Sequence, residues 1–187
     1  MKELPELHLR NREEWAGWLD GNHAGSPGVW LKLAKKGADG LSRADALEVA
    51  LCYGWIDGQA ASVDDASWLQ RFTPRTRRSR WSRINRDAVE ALIAAGHMKP
   101  KGLAEVEAAK RDGRWEAAYD SPRTIAVPDD LRAKLEEQPR GWELFQALDS
   151  RNRFAILYRI QEARRADTRA RRIDKYVRMV LDGETIH

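Results

Sequence analysis

The spacing of apolar residues changes its period twice along the chain. Leu7-His8-Leu9 alternates over a short run and predicts a strand. Asn11 and Glu14 stand at capping-box spacing and open a helix with Trp15, Trp18 and Leu19 on one face. Gly21, Gly25, Pro27 and Gly28 break it. Residues 29–34, Val-Trp-Leu-Lys-Leu-Ala, predict a mostly buried strand. Ser42 and Asp45 then form a second capping pair. The helix that follows carries Leu47, Ala50 and Leu51 at core spacing and should stop near Gly54. Residues 56–63 and 66–73 predict two short strands joined at Asp64-Asp65 as a hairpin.

From about Asn85 the period is helical. Val89, Leu92 and Ile93 make one stripe that Gly96 closes, and Leu103, Val106, Glu107 and Lys110 belong to a helix closed by Gly113. Pro128-Asp129-Asp130 is a strong helix start, with proline and acids in the first turn. Another helix covers 142–148. Ala166, Ala170, Ile173, Val177 and Val180 repeat at 4-3-4-3 spacing, with Arg164, Arg171, Lys175 and Arg178 near the opposite face. The order β-α-β-α-β-β followed by about five helices predicts an α+β fold: a small, mainly antiparallel sheet with helices in the N-terminal half, and a helical C-terminal half. The expected division is an α+β module over 1–86 and a helical segment over 87–187, with one shared core or two left open.

Composition narrows the class. A chain of 187 residues with 42% hydrophobic and 33% charged residues can bury a core without disulfides. No apolar run is long enough to span a membrane, and the N-terminus has no apolar signal core, so a cytoplasmic protein without membrane insertion is expected. Cys52 is the single cysteine and reads as a core residue. The net charge of +4 hides a pattern: residues 71–86 hold seven arginines and no acid, between blocks 1–70 and 87–150 that each carry a net −4. Residues 151–187 carry 10 basic and 5 acidic side chains.

Five ordered blocks then resemble a known family. They are Ala50-Leu51-Cys52-Tyr53-Gly54-Trp55-Ile56-Asp57-Gly58-Gln59; Arg71-Phe72-Thr73-Pro74-Arg75 running on to Ser79-Arg80-Trp81-Ser82-Arg83-Ile84-Asn85; Gly113-Arg114-Trp115; Val127-Pro128-Asp129-Asp130-Leu131; and Glu162-Ala163-Arg164-Arg165 with Thr168-Arg169-Ala170-Arg171-Arg172-Ile173. Together, over about 7–183, they resemble the YdeI/OmpD-associated, or bacteriocin-protection, family. Arg164 stands where the family pattern has lysine, which keeps the charge. The resemblance implies a role in bacteriocin or antimicrobial-peptide tolerance. It implies no reaction, no cofactor and no catalytic residue, and the N-terminal half is similar to small α+β modules, some of them frataxin-like.

The residues themselves offer one main candidate. Arg71, Arg75, Arg77, Arg78 and Arg80 are guanidinium forks suited to phosphate or carboxylate, and Ser79, Ser82 and Asn85 add donors. Phe72 and Trp81 can stack on a base or lie beneath a guanidinium, and an anion can sit at the next helix start if Asn85 caps it. The competing reading buries both aromatics and pairs the arginines with Asp57, Asp64 and Asp65. Trp55 and Asp57, at a helix-to-strand junction beside glycines, suit a pocket with Asp57 as acid or base, or else a tight turn over a core tryptophan. His8, His23, His97 and His187 have no metal-ligand spacing. Arg169 and Arg172 flank the last apolar stripe and complete the candidate set.

Three function classes follow. The preferred one is a non-enzymatic binder of an anion or polyanion, whose partner is a phosphorylated small molecule or nucleic acid. The second is an enzyme on an anionic small molecule, using Asp57. The third is an interaction module for an acidic protein.

Overall fold

The computed structural model describes residues 4–187. The elements run β1 (Glu6–Leu7), α1 (Arg12–Asn22), β2 (Val29–Ala34), α2 (Arg43–Cys52), β3 (Trp55–Ser62), β4 (Ser67–Pro74), then the helices α3 (Arg83–Ala94), α4 (Pro100–Arg111), α5 (Asp129–Glu136), α6 (Gly141–Ala147), α7 (Ser150–Gln161) and α8 (Ala166–Leu181). The fold is α+β, as the periodicity predicts, with one helix more in the second half. The sheet order is β1-β2-β4-β3, and β1 lies parallel to β2 while the other pairs are antiparallel. It is a mixed sheet, mainly antiparallel.

Local chemistry explains the boundaries. The Asn11 side chain accepts from the Glu14 amide at 2.9 Å, while the Glu14 carboxylate reaches one residue further back than a capping box requires, to the Arg10 amide. Ser42 caps α2 through the Asp45 amide. Tyr53 ends that helix and Gly54, at φ +74°, turns the chain into β3. The hairpin β3–β4 contains a bulge, where Gly58 and Gln59 face Arg71 alone, and the buried Gln70 amide donates to both their carbonyls at 2.8 and 3.1 Å.

Two compact units emerge, each with its own core. The first comprises residues through Trp81 and Asn85–Ala118. Its core joins Trp15, Leu19, Leu31, Leu33, Trp55, Phe72 and Trp81 to Val89 and Val106 of the later helices and to Trp115 in the turns after α4. The second comprises Ser82–Ile84 and Tyr119–His187, packed around Leu131, Leu135, Phe145, Ile156, Ile160, Ile173 and Val177. Ser82 joins it through a short parallel bridge to Tyr119, and Arg83 ion-pairs with Asp120 at 3.0 Å.

The predicted stripes need small corrections. Ile93 and Leu103 are 38% and 40% exposed, so Val89, Leu92, Val106 and Ala109 carry the buried faces of α3 and α4. Ala166 and Ala170 are exposed, and the buried stripe of α8 begins at Ile173 and adds Tyr176.

Candidate functional site

The arginine-rich stretch does three different things. Arg71 lies on β4 opposite Trp30, its guanidinium reaching the Gln59 side chain at 3.4 Å. Arg75 is 4% exposed: its guanidinium carbon lies 3.5 Å from the centroid of the Trp81 ring, and it donates to the Arg80 carbonyl at 3.1 Å. Trp81 is itself buried, edge-to-face with Trp115 at 4.9 Å. It is the floor under a guanidinium, as one reading allowed, and it is not an open stacking platform.

Between these lies a tight turn. Ser79 donates its amide to the Thr76 carbonyl at 2.9 Å, the Ser79 hydroxyl accepts from the Thr76 amide at 3.0 Å, and the Arg78 amide reaches the Thr76 hydroxyl at 3.2 Å. Arg114, distant in sequence, braces this turn by donating to the carbonyls of Thr76 at 3.3 Å and Ser79 at 3.1 Å. Its guanidinium also holds Asp112 at 2.8 Å. That contact, with a smaller contribution from the nearby positive charge of Arg77, keeps the Asp112 carboxyl below its usual range. Arg77 and Arg78 occupy the two central positions of the turn and are exposed; among the described residues neither forms a salt bridge. Arg80 is half-buried behind them.

Asn85 is not a helix cap. It is the third residue of α3, which starts at Arg83, and the Arg83 amide is taken by the Tyr119 carbonyl. An anion seat at that helix start, as expected from the sequence, is therefore not formed through Asn85.

The other candidates lie in different surroundings. Trp55 is 1% exposed, packed edge-on to Trp15 and Trp18, with its indole N–H donating to the His23 carbonyl at 3.2 Å. Asp57 is bonded to Arg43 at 2.5 Å. Asp64 accepts from the amides of Ala66 and Ser67 and from the Ser67 hydroxyl, and among the described residues Asp57 and Asp64 form their salt bridges with Arg43 and Lys32, not with the 71–86 arginines. In the second unit, Arg169 grips Asp130 with two bonds of 2.6 and 2.9 Å and caps the Ile160 carbonyl at 3.3 Å. Arg172 donates to the Arg159 carbonyl and lies 3.5 Å from Glu162. Both act as clamps between α8 and the helices beside it.

Two concavities lie elsewhere. One of about 590 Å³ in the first unit is lined by Asp20, Val49, Cys52, Tyr53, His97 and Lys99 among others. Burial pushes the Cys52 thiol up, and burial with the 2.6 Å bond to Asp20 pushes the Tyr53 phenol up, so both stay protonated. Another of about 770 Å³ along α8 mixes Arg171, Lys175 and Arg178 with Asp174 and Asp182. Neither contains a residue of the candidate anion-binding set drawn from the sequence. Among the described residues no group of three or more His, Cys, Asp or Glu is placed to hold a metal ion, and no helix is long and apolar enough to cross a membrane.

Sequence reasoning missed Arg114 as part of the turn. Its block, Gly113-Arg114-Trp115, was visible, but no spacing rule links it to Thr76, 38 residues earlier.

Comparison with known families divides the chain similarly. Residues 7–105 match the model described as a domain of unknown function (DUF8412), and residues 124–183 match that described as Bacteriocin-protection, YdeI or OmpD-Associated. The resemblance drawn from the sequence holds over 124–183; the blocks at 50–59 and 71–85 fall within the other match, and Gly113-Arg114-Trp115 lies between the two. No curated protein and no solved structure matches the chain.

Proposed function

This chain belongs to the DUF8412 family and carries a YdeI/OmpD-associated segment behind that domain, and from that premise we propose that it is a non-enzymatic anion-binding protein acting through the 76–79 turn. The name of the second family supports a role in bacteriocin tolerance. One observation carries the reading: a turn closed by its own hydroxyls and amides, braced by Arg114, holds two exposed guanidinium groups, with no carboxylate among the described residues in a salt bridge to either. Fixing the turn backbone in advance lowers the ordering cost of meeting an anion, and the exposed forks need break no ion pair to do so. Asp57 supports the enzymatic alternative less, since Arg43 already holds it.

The test is binding of a heparin fragment, a polyanion without sequence, followed by fluorescence anisotropy over a salt series. Arg77→Ala with Arg78→Ala should weaken binding and make its salt dependence shallower, since fewer ionic contacts release fewer counterions. Unchanged affinity and slope in a folded double variant would remove the 76–79 turn as the site.

A further inference from the structure

Building on that reading, we infer that the anion is the phosphodiester backbone of a nucleic-acid duplex, contacted by two chain segments at once: the 76–79 turn and the C-terminal end of α4 at Lys110 and Arg111. Three observations carry this.

The first is that three of the four amides of the turn are already taken, so it offers a compact phosphate no run of successive free amides. Sites for a compact phosphate aim successive backbone amides at the ligand. Here the amides of Thr76, Arg78 and Ser79 are all consumed by Ser79 and Thr76. Recognition is left to the guanidinium side chains, which suits a spread-out charge better than a single phosphoryl group.

The second is that no aromatic face is offered beside the turn. Phe72, Trp81 and Trp115 are 0%, 2% and 4% exposed. Single strands owe much of their affinity to bases stacked on exposed rings, whereas a duplex keeps its bases stacked internally.

The third is that the fold brings a second cationic segment to the turn. Arg114 ties the chain after α4 to the carbonyls of Thr76 and Ser79. The nearby acid, Asp112, is held by Arg114 and also feels the charge of Arg77. The buried Trp81–Trp115 pair carries Arg75 over one ring and Lys110, at 5.8 Å, over the other; Lys110 also pairs with the exposed Glu107 at 3.3 Å, a surface contact that a phosphate can displace. Arg111, next along, is exposed in the last turn of α4. Cations from two segments across one rigid aromatic core match a stiff rod with one charge per ~1.7 Å of its length better than a flexible chain.

The experiment measures binding of a 20-base-pair DNA duplex, one of its strands alone, ATP, and poly-glutamate, each over a fourfold rise in salt. The proteins are wild type, Arg77→Ala/Arg78→Ala and Lys110→Gln/Arg111→Gln, with folding checked by circular dichroism. Four phosphate contacts predict that wild-type affinity for the duplex falls about 150-fold over that salt range, and about 12-fold in either double variant. The duplex should bind tightest of the four probes. Equal or tighter binding of the single strand, tight salt-tolerant binding of ATP, or poly-glutamate matching the duplex would each overturn the inference. So would a steep slope left intact by Lys110→Gln/Arg111→Gln while Arg77→Ala/Arg78→Ala flattens it, a result that spares the anion-binding reading. If neither variant changes the slope, both fall.

Discussion

Arg75 shows how much a neighbouring side chain decides. The residue is 4% exposed, its guanidinium carbon lies 3.5 Å from the Trp81 ring centroid, and it donates to the Arg80 carbonyl. A desolvated cation–π contact of this kind contributes about 2 kcal/mol, and the planar fork lets the ring contact and the backbone bond coexist. Lysine would supply a point charge without the stacking plane. Arg75→Lys should therefore cost about 1–2 kcal/mol and Arg75→Ala about 3 kcal/mol, because the alanine also leaves a void beside Trp81. Urea midpoints at constant slope would show this; a neutral Arg75→Lys would mean that the ring contact contributes nothing. By contrast, the change Arg77→Ala should leave stability within about 0.5 kcal/mol. The run of seven arginines was legible as a run, but nothing in it distinguishes the buried Arg75 from the exposed Arg77 two positions on. That distinction comes from Trp81 folding back beneath Arg75, a tertiary event without a local signal. Trp55 and Asp57 were readable both ways for the same reason, and the outcome was set by distant Trp15, Trp18 and Arg43.

Elements were more legible where one interaction set both period and boundary. β2 has the predicted limits because Val29, Leu31 and Leu33 alternate with half-buried positions and glycines precede and follow the strand. α7 was not predicted as a separate helix. Asn152 occupies a buried position in its first turn, tied to Asp149 and accepting from the amides of Ile186 and His187, and so interrupts the apolar stripe that continues through Ile156 and Ile160. The Asp149 cap was the available signal. The approach of α2 to α4 gives a prediction whose sign opposes helix propensity. Glycine inside a helix ordinarily costs up to about 1 kcal/mol relative to alanine, so Gly102→Ala would be expected to stabilise α4. A Cβ there would lie 2.2 Å from the Cys52 carbonyl oxygen, the same oxygen that accepts from the Lys99 amide at 3.0 Å. The obstacle is backbone, so it cannot rotate away. Gly102→Ala should destabilise the first unit by about 1–3 kcal/mol, and a stabilised variant in thermal melts would show that the two helices separate freely.

At the scale of the whole molecule, the two cores share no residue, and each has its own reporters. Tryptophans 15, 18, 30, 55, 68, 81 and 115 fall in the first unit and only Trp142 in the second, so intrinsic fluorescence follows the first almost alone. The second unit is held at one edge by the Arg169–Asp130 pair between α8 and α5. The side-chain hydrogen bond from Arg169 depresses the Asp130 carboxyl, with the guanidinium charge adding to it. A carboxyl depressed by folding adds stability above its unfolded pKa of about 3.9 and loses it as pH falls through the lower folded value. With Asp130 about half exposed, solvent screening keeps the contribution to about 0.5–1 kcal/mol. Asp130→Asn should thus lower the melting temperature of the second unit by about 2–6 °C at pH 7. The difference from wild type should close once pH drops below the depressed carboxyl value. Because the cores are separate, the loss should appear in helical circular dichroism and leave the fluorescence-detected midpoint where it is. Equal displacement of both signals would mean that the chain unfolds as one cooperative body, and a difference that persists in acid would assign the effect of Asp130 to packing instead of charge.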